Sequence, residues 1–152
     1  MNKPTEKKFL LGNLKIIKGS AEIPNSADNR VILLFTDTSG NIEDELGKKL
    51  IKRWIKVKDS FRSWYRGQVN FKLGQTLQID LQTDTIVMCL LVFKDKVLDT
   101  QALKDAMIIA GRFTSANKYN VHLNKSDIDW TIIEPMITEY FIKSGVNVTV
   151  YE

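Results

Sequence analysis

The chain has one cysteine, Cys89, one histidine, His122, and three prolines among its 152 residues. A single cysteine excludes an internal disulfide and any zinc site built from several thiolates. Cys89 also lies inside the apolar run Thr85-Ile86-Val87-Met88-Cys89-Leu90-Leu91-Val92-Phe93, where a thiol reads as a small core residue and not as a nucleophile. His122 has no companion ligands in its short stretch, so neither a metal nor a cofactor is expected. No apolar run approaches the ~18 residues of a membrane span. Residues 1–8 are polar, and the Phe9-Leu10-Leu11 that follows is too short for a signal-peptide core. These absences predict a cytoplasmic protein without membrane contact, preceded by a short flexible tail over 1–8.

Positive charge, by contrast, is abundant and local. The whole chain carries +4, but the stretch 46–66 alone holds eight cations against Asp59, a net +7 that leaves −3 for the remainder. Two readings follow. The cations are the solvated side of an amphipathic helix, or they form an anion-binding face. In the second case Lys48, Lys49, Lys52, Lys56, Arg62 and Arg66 would take phosphates, with Trp64 and Tyr65 at hand to stack on bases.

Periodicity supplies the fold class. Leu14-Lys15-Ile16-Ile17 alternates weakly, and Arg30-Val31-Ile32-Leu33-Leu34-Phe35 is continuous enough for a strand covered on both faces. After the break at Thr38-Ser39-Gly40-Asn41, the acids Glu43-Asp44-Glu45 open a helix, where they favour its dipole. Leu46, Leu50, Ile51, Trp54 and Ile55 share one face of it. Strands are predicted at 76–81, 86–93, 120–123 and 146–150. Helices are predicted over 101–113, with Leu103, Met107, Ile108 and Ala110 inward, and from an N-cap at Asp129 to Gly145. Pro135 should kink that last helix or shift its start. Strands alternating with helices give an α/β sheet covered on both sides. No repeat, low-complexity tract or linker divides 1–152, so one domain is expected.

Two stretches carry more than pattern. One runs Arg53-Trp54, then Phe61-Arg62-Ser63-Trp64-Tyr65-Arg66-Gly67, then Phe71-Lys72-Leu73-Gly74-Gln75. The other is Asp129-Trp130-Thr131-Ile132-Ile133-Glu134-Pro135-Met136-Ile137, closing on Gly145-Val146-Asn147-Val148-Thr149-Val150-Tyr151. Through both, the chain resembles the macro domains over 14–152. The resemblance implies a three-layer α/β fold, a mixed sheet with helices on both faces, and a site for ADP-ribose.

The same resemblance implies where that site would lie and how far this chain departs from it. The family's acid for the adenine amino group, just after a glycine, falls at Gly19-Ser20, a hydroxyl without charge. Its asparagine for the distal ribose falls at Asp37. Its first glycine-rich loop is Gly40-Asn41-Ile42-Glu43-Asp44-Glu45, with one glycine and three acids. Its second is Asn124-Lys125-Ser126-Asp127-Ile128, with none. Glycine permits close backbone approach to phosphate, and unit charges about 4 Å apart at an effective dielectric near 20 repel by roughly 4 kcal/mol. The expectation is therefore a macro-fold interaction module that has lost ADP-ribose and works without catalysis, with another protein as its partner.

Retained ADP-ribose binding or hydrolysis is the alternative. One branch of the family hydrolyses ADP-ribosyl links with a lysine and an acid. Lys94 or Lys96, in the loop after the buried strand, would be that lysine and Asp127 the acid, although Leu90 stands where the family has an asparagine. Nucleic-acid binding through the basic stretch is the third reading.

Overall fold

Two uninterrupted apolar runs set the centre of the sheet. Arg30–Asp37 (β2) and Thr85–Lys94 (β4) pair in parallel, from Arg30 opposite Thr85 to Thr36 opposite Leu91. Val31, Leu33, Phe35, Ile86, Met88, Leu90 and Val92 feed one core, while Ile32, Leu34, Val87 and Cys89 feed the other. Both faces of these strands are buried, which is why neither alternates. The computed structural model describes residues 11–24, 29–82 and 84–152; the expected tail over 1–8 lies outside them.

Around this pair the sheet runs β1-β7-β6-β2-β4-β3. Its outer members are Leu14–Ile17 (β1), Asn120–Asn124 (β6), Val148–Tyr151 (β7) and Thr76–Gln82 (β3). The neighbours β1–β7, β7–β6, β6–β2 and β2–β4 are parallel, and β3 returns antiparallel to β4. A seventh strand, Val97–Leu98 (β5), folds back on the end of β4. Asp95 and Lys96 take positive φ at its turn, 51° and 66°, as a two-residue hairpin requires.

Helices Glu45–Arg53 (α1) and Ile55–Gly67 (α2) cover one face of the sheet through Leu46, Leu50, Val57 and Phe61. Thr100–Asn117 (α3) and Trp130–Tyr140 (α4) cover the other through Leu103, Met107, Ile133 and Ile137. This is the expected three-layer mixed α/β arrangement. No helix among the described residues is long and apolar enough to cross a membrane.

Several local expectations need correction. The first helix is broken at Trp54, whose extended backbone (φ −137°, ψ 99°) caps both α1 and α2. Ile55 consequently leaves the buried face and is 61% exposed. Ile108 is only half-buried and lines a groove against α4. Pro135 does not shift the start of α4, which runs on from its cap at Asp129 with the proline inside it. Gly145 (φ 84°) closes the short 3-10 turn Ile142–Ser144 that follows α4, and not α4 itself. Lys94 is the last residue of β4, opposite Val97, and so is not in the loop.

Candidate functional site

Parallel strands bring their carboxyl ends to one edge, where α/β sheets hold ligands. Here Gly19 and Ser20 after β1, Asp37 at the end of β2, Phe93 near the end of β4, Asn124 at the end of β6 and Tyr151 in β7 meet along that edge. They line two separate cavities.

The first cavity, about 690 Å³, is bounded by Phe35, Asp37, Ser39, Asn41, Glu43, Asp44, Phe93, Asp95 and Lys96 among others. It brings together Asp37, Asn41 and Lys96 from the sequence-derived candidates. Gly40 stands between its wall residues Ser39 and Asn41. Gly40 takes a positive φ of 84°, and a Cβ there would lie 2.6 Å from the Tyr65 ring. That glycine therefore serves Tyr65, which packs over the loop.

Several amides of this loop are already engaged. Asp37 accepts from Ser39 N–H at 2.8 Å and, across the mouth, from Lys96 N–H at 2.7 Å. Asp37 O accepts from Gly40 N–H at 3.3 Å, and Ser39 Oγ accepts from Asn41 N–H at 3.3 Å. Asp44 then caps α1, taking Gly47 N–H at 3.2 Å. Gly47 is required for this, since a Cβ there would sit 2.6 Å from Asp44 Oδ1 and 2.1 Å from Ile42 Cγ2. Burial holds the Asp44 carboxyl above its usual range, against the lowering effect of the Gly47 amide and the charge of Lys48. Lys96 Nζ reaches Glu43 at 3.8 Å.

The second cavity, about 490 Å³, lies between the end of β1, the 3-10 turn Lys125–Asp127 and the C-terminal end of β7. It includes Gly19 and Ser20 together with Lys49, Trp130 and Tyr151. Asn124 braces it by accepting from Ala21 N–H at 2.8 Å. Lys125 Nζ lies 5.4 Å from the centre of the Trp130 ring. Tyr151 turns its hydroxyl beneath the cavity to His122 Nδ1, at 2.8 Å. His122 is buried and its Nε2 has no hydrogen-bond partner among the described residues. Burial, with Arg30 and Lys15 adding to it, pushes its pKa down to about 4.

Asp44 and Glu45, at the start of α1, divide the two cavities, Asp44 lining the first and Glu45 the second. Asp127 belongs to neither lining. Its Oδ2 is buried without a hydrogen-bond partner among the described residues. Burial first, then the charges of Asp44 and Glu45, raise its pKa to about 7. Lys94 is exposed and lines neither cavity. Sequence reading assigns no site role to Phe35, Phe93, Trp130 or Tyr151, and names Asn124 only as the first residue of the second loop. The positions of Asn124 and Tyr151 at strand ends were the available signal.

The sequence matches no protein-family model and no curated protein. Solved structures do match. A macrodomain protein from Streptomyces coelicolor superposes with a TM-score of 0.86 at 20% identity, over 92% of this chain and 99% of that one. A Bacteroides thetaiotaomicron protein gives 0.86 at 24% identity, over 92% and 98%. Thermosipho africanus DarTG, solved in complex with ADP-ribose, gives 0.76 at 11% identity, over 93% of this chain and 42% of that one. The chain has the macro-domain fold.

Proposed function

We propose that this chain is a macro-fold binding module that has given up ADP-ribose and serves as an interaction module for another protein. One observation carries the reading. Four of the amides that a phosphate-binding loop and helix start would offer, those of Ser39, Gly40, Asn41 and Gly47, are taken by Asp37, Ser39 and Asp44 of the chain itself. A diphosphate would have to displace the Asp37 and Asp44 carboxylates to reach Ser39 N–H and Gly47 N–H, and would then lie beside the acids Asp37, Glu43 and Asp44 that line the first cavity. Calorimetry with ADP-ribose at neutral pH should give no saturable heat up to about millimolar ligand, a ceiling near −4 kcal/mol. A micromolar dissociation constant would sink the proposal.

A second reading, hydrolysis of ADP-ribosyl links, has one observation in its favour. Asp127 holds its proton close to neutrality, as a general acid or base requires. Against it, Lys96 lines the first cavity and is engaged with Glu43 there, while Lys94 lines neither. Protein-linked and nucleic-acid-linked ADP-ribose should both survive incubation with the wild-type protein. Release that disappears in Lys96→Ala and Asp127→Asn, with the melting temperature of Lys96→Ala unchanged, would establish the hydrolase instead.

A further inference from the structure

The cleft makes no use of the outer side of α1 and α2. With Leu46, Leu50, Val57 and Phe61 turned to the sheet, these helices leave Lys52, Lys58, Arg62 and Arg66 exposed. Two other cations of the stretch are engaged: Lys56 Nζ donates to Asp80 O at 2.6 Å, and Arg53 donates to Glu22 O at 2.6 Å. Lys52, Lys58, Arg62 and Arg66 hold neither an ion pair nor a hydrogen bond among the described residues.

Lys58, Arg62 and Arg66 follow one another at i, i+4, about 6 Å apart along the axis at 1.5 Å per residue. Like charges at that spacing oppose helix formation, and among the described residues none beyond Asp59 on the same helix offsets them. The occupant that complements this column is an anion with repeated charges. A protein partner would need an apolar centre depleted of charge, whereas the one exposed aliphatic side chain on α1 and α2 is Ile55. Nucleic acid needs no such centre. The nearby rings are already engaged within the protein. Trp64 Nε1 donates to Val69 O at 3.0 Å and its ring meets Phe71 at 5.0 Å; Tyr65 packs on Phe71 at 5.3 Å and over Gly40.

We propose that the outer face of α1 and α2 docks the sugar-phosphate backbone of duplex nucleic acid, without base readout, through Lys52, Lys58, Arg62 and Arg66. The surface is independent of the cleft and of its ligand. Fluorescence anisotropy of the full chain with a labelled duplex of arbitrary sequence tests it. Four neutralised phosphates give a log–log salt slope of about −3 to −4, so affinity should fall roughly 10²-fold between 50 and 200 mM salt. Lys58→Gln with Arg62→Gln should flatten the slope by about 2. Lys104→Gln with Arg112→Gln, on α3 across the sheet, should leave it unchanged, and two unrelated duplexes should bind alike. No binding at 50 mM salt, or binding indifferent to the α2 substitutions, would overturn the proposal. Tighter binding of polyglutamate than of duplex would also overturn it, in favour of an acidic protein.

Discussion

Asp127→Asn should stabilise the protein at pH 8 by on the order of 3 kcal/mol and change little at pH 4. The wild-type carboxyl has a folded-state pKa of about 7 against an ordinary value of 3.8. The folded state therefore binds more protons than the unfolded state between these values, and stability falls as pH rises through that window. At 1.36 kcal/mol per unit the full cost above pH 7 is about 4 kcal/mol, reduced here for partial exposure of the side chain. His122 works in the opposite direction. Its folded pKa of about 4 lies below the 6.5 of a free imidazole, so the unfolded state binds the extra proton and stability is lost as pH falls from 6.5 to 4. Over that shared window the two contributions nearly cancel. Removing Asp127 should uncover the histidine as a slope of about 1.4 kcal/mol per pH unit. Urea midpoints at pH 4.5, 5.5, 6.5 and 8 for both proteins decide it. Parallel curves, or a less stable variant at pH 8, would contradict this account of Asp127.

Phe61→Ala should cost roughly 3–5 kcal/mol, the usual penalty for emptying a large aromatic site in a core. Phe61 is 1% exposed and meets Trp64 and Phe71 edge-on, with ring centres 6.1 and 6.0 Å away. Val57 is the one other buried residue of α2, so little else holds that helix to the sheet. Against a total of about 5–15 kcal/mol for a typical domain, the loss should lower the melting temperature steeply. Arg62→Gln, one residue along and exposed, should stay within about 0.5 kcal/mol. If Phe61→Ala behaved like Arg62→Gln in thermal melts, the aromatic cluster would not be core.

These residues also mark where sequence reading succeeds and where it stops. β2 and β4 are legible because strands buried on both faces admit nothing but apolar side chains. The aromatic segment was ambiguous, since Trp, Tyr and Phe suit both a core and a stacking surface; only the partners of Trp64 and Tyr65 separate the two. The break at Trp54 has no local signature, because the apolar spacing continues through it and no Gly or Pro interrupts it. β5 is hidden for the related reason that Asp95 and Lys96 make a left-handed turn without glycine. In the site, the acids at 43–45 were visible, but their arrangement was not. That Asp127 sits buried, its carboxyl facing the charges of Asp44 and Glu45, depends on a turn more than 80 positions away. The His122–Tyr151 pair, 29 positions apart, was equally out of reach.

The edge formed by β1 and β7 has a consequence for how the molecule comes into being. Among the described strands β1 pairs only with β7, and the two are stitched by Asn13 N–H to Asn147 Oδ1 across 134 positions. During synthesis Leu14, Ile16 and Ile17 are made early and have no ladder to join until that distant strand appears. At about 5–20 residues per second the wait is roughly 7–27 s. For that interval the nascent chain exposes an unpaired apolar strand, the kind of segment that holdase chaperones and neighbouring chains compete to cover.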